Sequence, residues 1–220
     1  MAKLFRNNGL TIVLMLLFLA SILGQWISGW MVENEGLARH GEETLSLTAF
    51  AADPEFLSSV FENWESEFLQ MSAYVILTAM LIQKGSAESR DPDAPPRDSA
   101  LESQAHKPGA PRMLLGGPAA RWIYAHSLGL ALFTLFLLSF ALHWWNSANS
   151  AASEALQHGE TPPGHLAYLG DPQLWFESFQ NWQSEFLSTA LLVVLSIWLR
   201  QRESPESKAV AAPHEQTGGA

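Results

Sequence analysis

The side chains best equipped for chemistry come in pairs 118 residues apart. Glu67 and Glu185 each follow Asn-Trp-x-Ser and precede Phe-Leu, in FENWESEFL and FESFQNWQSEFL. A carboxylate at the margin of an apolar run can bind a proton or a cation, because a desolvated charge needs a partner. Asn63 stands four residues before Glu67 and Asn181 four before Glu185, so on a helix each pair shares a face. Gln25 and His143 hold matching positions near the ends of the preceding apolar runs and complete a candidate polar cluster of six. Three uses are open to it: structural helix pairing, ion or proton binding, and contact with a partner or with lipid. His-Gly-Glu also occurs twice, at 40–42 and 158–160. Imidazole and carboxylate can ligate zinc; the alternative is a repeated turn around glycine.

Other chemistry is excluded. Cysteine is absent, which removes disulfides, thiolate metal sites and cysteine nucleophiles. There is no Walker loop, Gly-x-Ser-x-Gly elbow, His-Glu-x-x-His or dinucleotide fingerprint. We assign no catalytic, cofactor-binding or metal-binding residue and expect a protein that is not an enzyme. A membrane metalloenzyme using the His-Gly-Glu loops is the least favoured reading. The basic residues are too scattered to argue for nucleic acid.

The elements that position these residues are four apolar runs. Residues 10–26 and 122–145 carry no Lys, Arg, Asp or Glu, while 68–82 and 186–199 are shorter. A spanning helix needs about 20 apolar residues, so the short runs qualify only if their helices begin inside the repeated motif. The first run follows Lys3 and Arg6 as a signal peptide would. It lacks a clear small-x-small cleavage site, and its counterpart lies mid-chain, so it reads as a retained helix. Its Ala20, Gly24 and Ser28, four apart, would let another span or a second copy approach.

Residues 8–89 align with 126–207 without a gap, and about a third of the positions are identical. The matches run through two polar loops, which shared apolar composition would not produce. We read a tandem duplication. Two spans per copy return the chain to its starting side, so the copies are parallel repeats, unlike the inverted repeats of many transporters.

Orientation follows from Lys and Arg near span ends. Eleven of the twelve lie at the termini or between the second and third runs, and Arg39 is the exception. Both termini and the central linker are therefore expected in the cytoplasm. Fourteen of the twenty-two carboxylates fall in the outward segments. The linker at 85–118 and the tail at 204–220, rich in Pro and charge, are expected to be disordered.

Asp53-Pro54 and Asp171-Pro172 mark helix starts. Phe56, Leu57, Val60, Phe61, Trp64 and Phe68 then fall on one face, opposite Ser59, Glu62, Asn63, Ser66, Glu67 and Gln70. Each motif is thus an amphipathic lead-in helix to a span, with Trp64 and Trp182 as interface anchors.

FENWESEFLQ with YVILTAMLIQKGSAES, and WFESFQNWQSEFL with LRQRESPESK, resemble a bacterial inner-membrane protein family defined by a domain of unknown function. The resemblance covers about 6–215 and implies a four-span duplicated architecture in the bacterial inner membrane, with no known activity to carry over.

The expected fold is an all-α membrane protein of four transmembrane helices. The first repeat is 1–84, with spans at about 9–31 and 62–82. The second is 119–203, with spans at about 122–145 and 180–200. The expected role is structural or partner-binding, with the bilayer and a homo-oligomer or membrane partner as contacts. The alternative is a cation or proton channel or transporter using Glu67 and Glu185.

Overall fold

The computed structural model describes residues 2–95, 98 and 101–218. Arg97 and the side chain of Lys3, both used above for orientation, lie outside the described residues, as do Met1, Pro96, Ser99, Ala100, Gly219 and Ala220. Among the described residues there are helices and no strand: α1 (Ala2–His40), α2 (Leu47–Phe50), α3 (Pro54–Met80), α4 (Leu101–Gln104), a 3-10 turn (Arg112–Leu115), α5 (Pro118–Ala125), α6 (Ser127–Gln157), α7 (His165–Tyr168) and α8 (Pro172–Leu195).

Two helices are long and apolar enough to cross a membrane, Leu4–His40 and Ser127–Gln157. Their large apolar side chains are open rather than packed: Leu10, Leu16 and Leu17 on α1 and Leu128, Leu137 and Leu138 on α6 are all exposed. Helices α3 and α8 carry the motif glutamates near their middles, which dilutes their apolar character. Motif and apolar run form one continuous helix in each, without a break between lead-in and span. Helix α8 ends at Leu195, short of the expected 200, with Arg200 donating to the freed carbonyls of Ser196 and Ile197.

Local geometry recurs at the 118-residue spacing. Asn8 breaks the helical course of α1 (φ −133°, ψ 17°), and His126 (φ −112°, ψ 8°) separates α5 from α6. The apolar run at 122–145 is therefore divided, its long helix starting at Ser127. Trp26 Nε1 donates to the Leu47 carbonyl at 3.0 Å, and Trp144 Nε1 to the His165 carbonyl at 2.8 Å. Asp53 and Asp171 each accept from the N–H of the second residue of the helix that follows, Glu55 and Gln173, both at 2.9 Å. These indoles and carboxylates fix how each loop enters its helix.

The chain divides into two compact units. The first holds the residues up to Val60 together with Leu142–Tyr168. Phe50 and Phe56 meet there at 5.2 Å between ring centroids. A Cβ on Gly29 would sit 3.1 Å from the Phe50 ring, so glycine admits that ring against α1. Asn34 clamps Leu45 twice, accepting from its N–H and donating to its carbonyl. Trp145 and His165 stack at 4.1 Å.

The second unit holds Phe61–Ala141 and the residues from Leu169 onward. Its centre is α3 against α8. The contact order along both helices rises together, Glu62 with Asn181 and Gln70 with Thr189, so the two run parallel. Beyond the helices, two loops repeat one hydrogen-bond pattern. Gln83 N–H donates to Ser89 Oγ and Gln201 N–H to Ser207 Oγ, both at 2.9 Å. Tail composition argues against an apolar core, and what holds the tail is polar. The Lys208 ammonium, 1% exposed, donates to the carbonyls of Gly85 (2.5 Å), His214 and Gln216 (both 2.9 Å) and Pro213 (3.4 Å).

Candidate functional site

The most polar buried place in the second unit is the α3–α8 seam. Glu65 is 0% exposed and accepts from Ser178 Oγ at 2.7 Å and Trp182 Nε1 at 3.1 Å. One turn back on α3, Glu62 accepts from the Asn181 amide. Further along, the Gln70 amide donates to Thr189 Oγ1. The rungs at 62, 65 and 70 fall at helical spacing, so α3 presents one polar stripe to α8. Polar groups taken out of water demand partners, and in hydrocarbon no solvent supplies them.

An aromatic shell closes over the seam. Trp182 meets Phe179 edge-on at 5.3 Å and Trp175 at 6.5 Å, and reaches Phe136 of α6 at 6.3 Å. Phe140 continues the contact to Trp175 at 5.9 Å. The Trp182 ring, expected as an interface anchor, packs among aromatics, and its N–H serves the buried carboxylate. Trp64 is half-buried and meets Phe61 edge-on at 5.5 Å.

The six cluster residues distribute as follows. Asn181 joins the seam through Glu62. Glu67 and Asn63 are exposed, and Glu185 is half-buried. Glu67 and Glu185 lie near enough to act on one another electrostatically. In the first unit, Gln25 donates to Ser59 Oγ at 3.1 Å. His143, also in that unit, is 0% exposed. The sequence reading did not select Glu62, Glu65, Ser178 or Gln70 as site residues, although they carry the seam.

The His-Gly-Glu repeats are helix stops. Gly41 (φ +73°) and Gly159 (φ +70°) take the left-handed conformation that glycine adopts without a Cβ penalty. Glu42 N–H returns to the Leu37 carbonyl and Gly41 N–H to Ala38; Glu160 returns to Ala155 and Gly159 to Leu156. This is the double hydrogen bond of a Schellman cap. His40 Nδ1 lies 2.9 Å from the Gly36 carbonyl, back along its own helix.

Two carboxyl groups outside the seam, one in each unit, are perturbed. Partial desolvation, and after it the Glu33 charge and a hydrogen bond with Glu33, push Glu55 up to about 7; Asp53 and Glu154 add to this. Burial raises Glu88 above the usual carboxylate range; the Tyr74 hydroxyl, which donates to it, opposes the shift, and Glu206 reinforces it.

Between α3 and α8, past the Gln70–Thr189 rung, lies a cavity of about 360 Å³. Its walls are mainly Leu77, Leu81, Ile82, Phe186, Ala190 and Val193, and Gln83 and Ser89 stand at its loop end.

The comparison with known proteins adds a family and no activity. Neither a curated protein nor a solved structure matches this chain. The match to the family model described as "Domain of unknown function (DUF6766)" runs over residues 1–219, and the chain belongs to that family.

Proposed function

We propose that the chain is a four-span integral membrane protein with a structural or partner-binding role. In this reading two tandem copies of a two-helix hairpin pair through α3 and α8. The observation that carries it is the seam: Glu62, Glu65 and Gln70 of one motif copy spend their hydrogen bonds on Asn181, Ser178, Trp182 and Thr189 of the other. Groups satisfied within the protein hold helices together and offer no open site for a reaction. The exposed apolar sides of α1 and α6 suit lipid as their solvent. With α3 at 27 residues and α8 at 24, a rise of about 1.5 Å per residue gives roughly 40 and 36 Å. Either length exceeds the ~30 Å hydrocarbon core, so both serve as the second and fourth spans. Eleven of the twelve basic residues lie at the two termini or in and beside the linker, which favours the cytoplasmic side for all three, in the bacterial inner membrane that the family resemblance implies.

A second reading has one observation in its favour. Glu67 and Glu185, the same residue of the two copies, act on one another electrostatically, as a shared proton or cation site requires. Reconstitution into liposomes decides between the readings. The structural role requires that wild-type protein give no proton or cation flux above lipid alone. A flux that disappears in folded Glu67→Gln with Glu185→Gln transfers the assignment to conduction.

A further inference from the structure

The cavity between α3 and α8 has a shape that selects its occupant. Its α3 wall runs from Gln70 to Leu81, eleven residues on, or about 16 Å at 1.5 Å per residue. That matches one leaflet of a hydrocarbon core about 30 Å thick. A volume of about 360 Å³ over that length gives a mean cross-section of about 22 Å². A narrow aliphatic slot of this length suits a single polymethylene chain better than a helix about 10 Å across. The walls are largely aliphatic, and such space does not hold ordered water well. The inner end is closed by Gln70 and Thr189, which satisfy each other.

The open end has a charge to match. Gln83 and Ser89 rim it, and Lys84 and Arg90, the next residues along the chain, are exposed. Glu88, next to Ser89, accepts from the Tyr74 hydroxyl and is within electrostatic reach of Glu206. Arg200 is committed to backbone carbonyls at the end of α8. Among the described residues, Lys84 and Arg90 have no hydrogen bond or ion pair, which leaves two cations adjoining the rim residues in sequence for a headgroup phosphate.

We propose that this groove binds one acyl chain of a phospholipid from the cytoplasmic leaflet, with the phosphate held by Lys84. The inference rests on the membrane reading above. It makes the lipid a third layer of the α3–α8 pairing, filling the lower half of a seam whose upper half is hydrogen-bonded. A lipid so held exchanges more slowly than those bordering the exposed apolar side of α1.

The test is native mass spectrometry of the full chain extracted in mild detergent from membranes of phosphatidylethanolamine and phosphatidylglycerol. Wild type is expected to retain one phospholipid per chain. Ala190→Trp, which fills the groove from α8, is expected to lower retention at least tenfold, and Lys84→Glu to lower retention of the anionic lipid severalfold. Wild type without bound lipid, or Ala190→Trp with undiminished lipid, overturns the proposal. Should Ala190→Trp fail to fold, photoactivatable acyl chains in vesicles of the same lipids read the wild-type chain directly. Adducts concentrated on 70–83 and 186–193 support the groove, and adducts spread evenly over α1 and α6 overturn it. Alkaline carbonate extraction separates the two levels. A chain released by carbonate ends the membrane reading and the groove with it, whereas a chain that stays but holds no lipid ends the groove alone.

Discussion

Removing one hydroxyl is the cleanest probe of the seam. Ser178 is 0% exposed and donates to a Glu65 carboxylate that is itself fully buried. Ser178→Ala deletes the donor and leaves almost no cavity, so the change isolates one hydrogen bond. A bond to a charged group contributes about 1.5–3 kcal/mol in water-soluble proteins. Interhelical hydrogen bonds in bilayers average about 0.6 kcal/mol and reach about 1.7, because helices separated in lipid find other partners. The acceptor here is a carboxylate that keeps one other bond shown, from Trp182, so the upper part of the bilayer range applies. We expect a loss of about 1.5 kcal/mol. The assay is reversible unfolding in mixed micelles followed by tryptophan fluorescence, repeated in a Glu65→Leu background. There the hydroxyl has no carboxylate to serve, and Ser178→Ala should cost less than about 0.5 kcal/mol, a coupling of at least ~1 kcal/mol. Equal costs in both backgrounds would refute the reasoning, since the hydroxyl would then stabilise through something other than Glu65.

Three further outcomes are expected. Trp64→Ala with Trp182→Ala should destabilise by about 3–5 kcal/mol, mostly through the aromatic cluster around Trp182; Glu67→Gln with Glu185→Gln should cost less, and the reverse order in the same assay counts against a structural role. Glu55, with its pKa raised from 4.5 to about 7, binds its proton more tightly in the folded chain, so its contribution is full below about pH 4.5 and is lost as pH rises through about 7. The side chain is more than a third open to water, so screening holds the effect to about 1 kcal/mol or less; Glu55→Gln should flatten unfolding curves over that window, and an unchanged slope would dismiss the Glu33 interaction. Lys208→Met removes an ammonium from four carbonyls and should speed tryptic cleavage after the exposed Arg202 at least tenfold, a loss of about 1.4 kcal/mol in tail docking; unchanged cleavage would mean the tail is held elsewhere.

What the sequence disclosed depends on whether a feature is written twice. The caps at Asp53 and Asp171, the glycine stops after His40 and His158 and the tryptophan ties of α1 and α6 obey a single register, and comparing the copies exposes them. The seam does the reverse. Glu65 has Gln183 as its counterpart, and Ser178 has Val60. The Glu65–Ser178 hydrogen bond joins residues whose counterparts at the 118-residue spacing differ, so comparing the repeated segments does not point to it. The exposed Glu67 drew attention because it repeats, while the buried Glu65, two residues earlier, did not. The polar face of α3 was legible, but Glu65 and Ser72 lie outside it, and nothing in the sequence tells that they and Ser66 are buried. That depends on which helix lies opposite. Lys208 escaped notice for another reason: its partners are backbone carbonyls, which any sequence supplies.

The central claim is that the chain crosses a bilayer four times with its two copies parallel. Because the chain has no cysteine, single cysteines report their side of the membrane without background. A membrane-impermeant maleimide applied to intact cells should label Thr44→Cys and Thr161→Cys, and should reach Ala94→Cys and Gln216→Cys only after permeabilisation. Labelling of Ala94→Cys in intact cells alongside Thr44→Cys would contradict the account, because residue 94 would then share a side with residue 44 and α3 would not be a span.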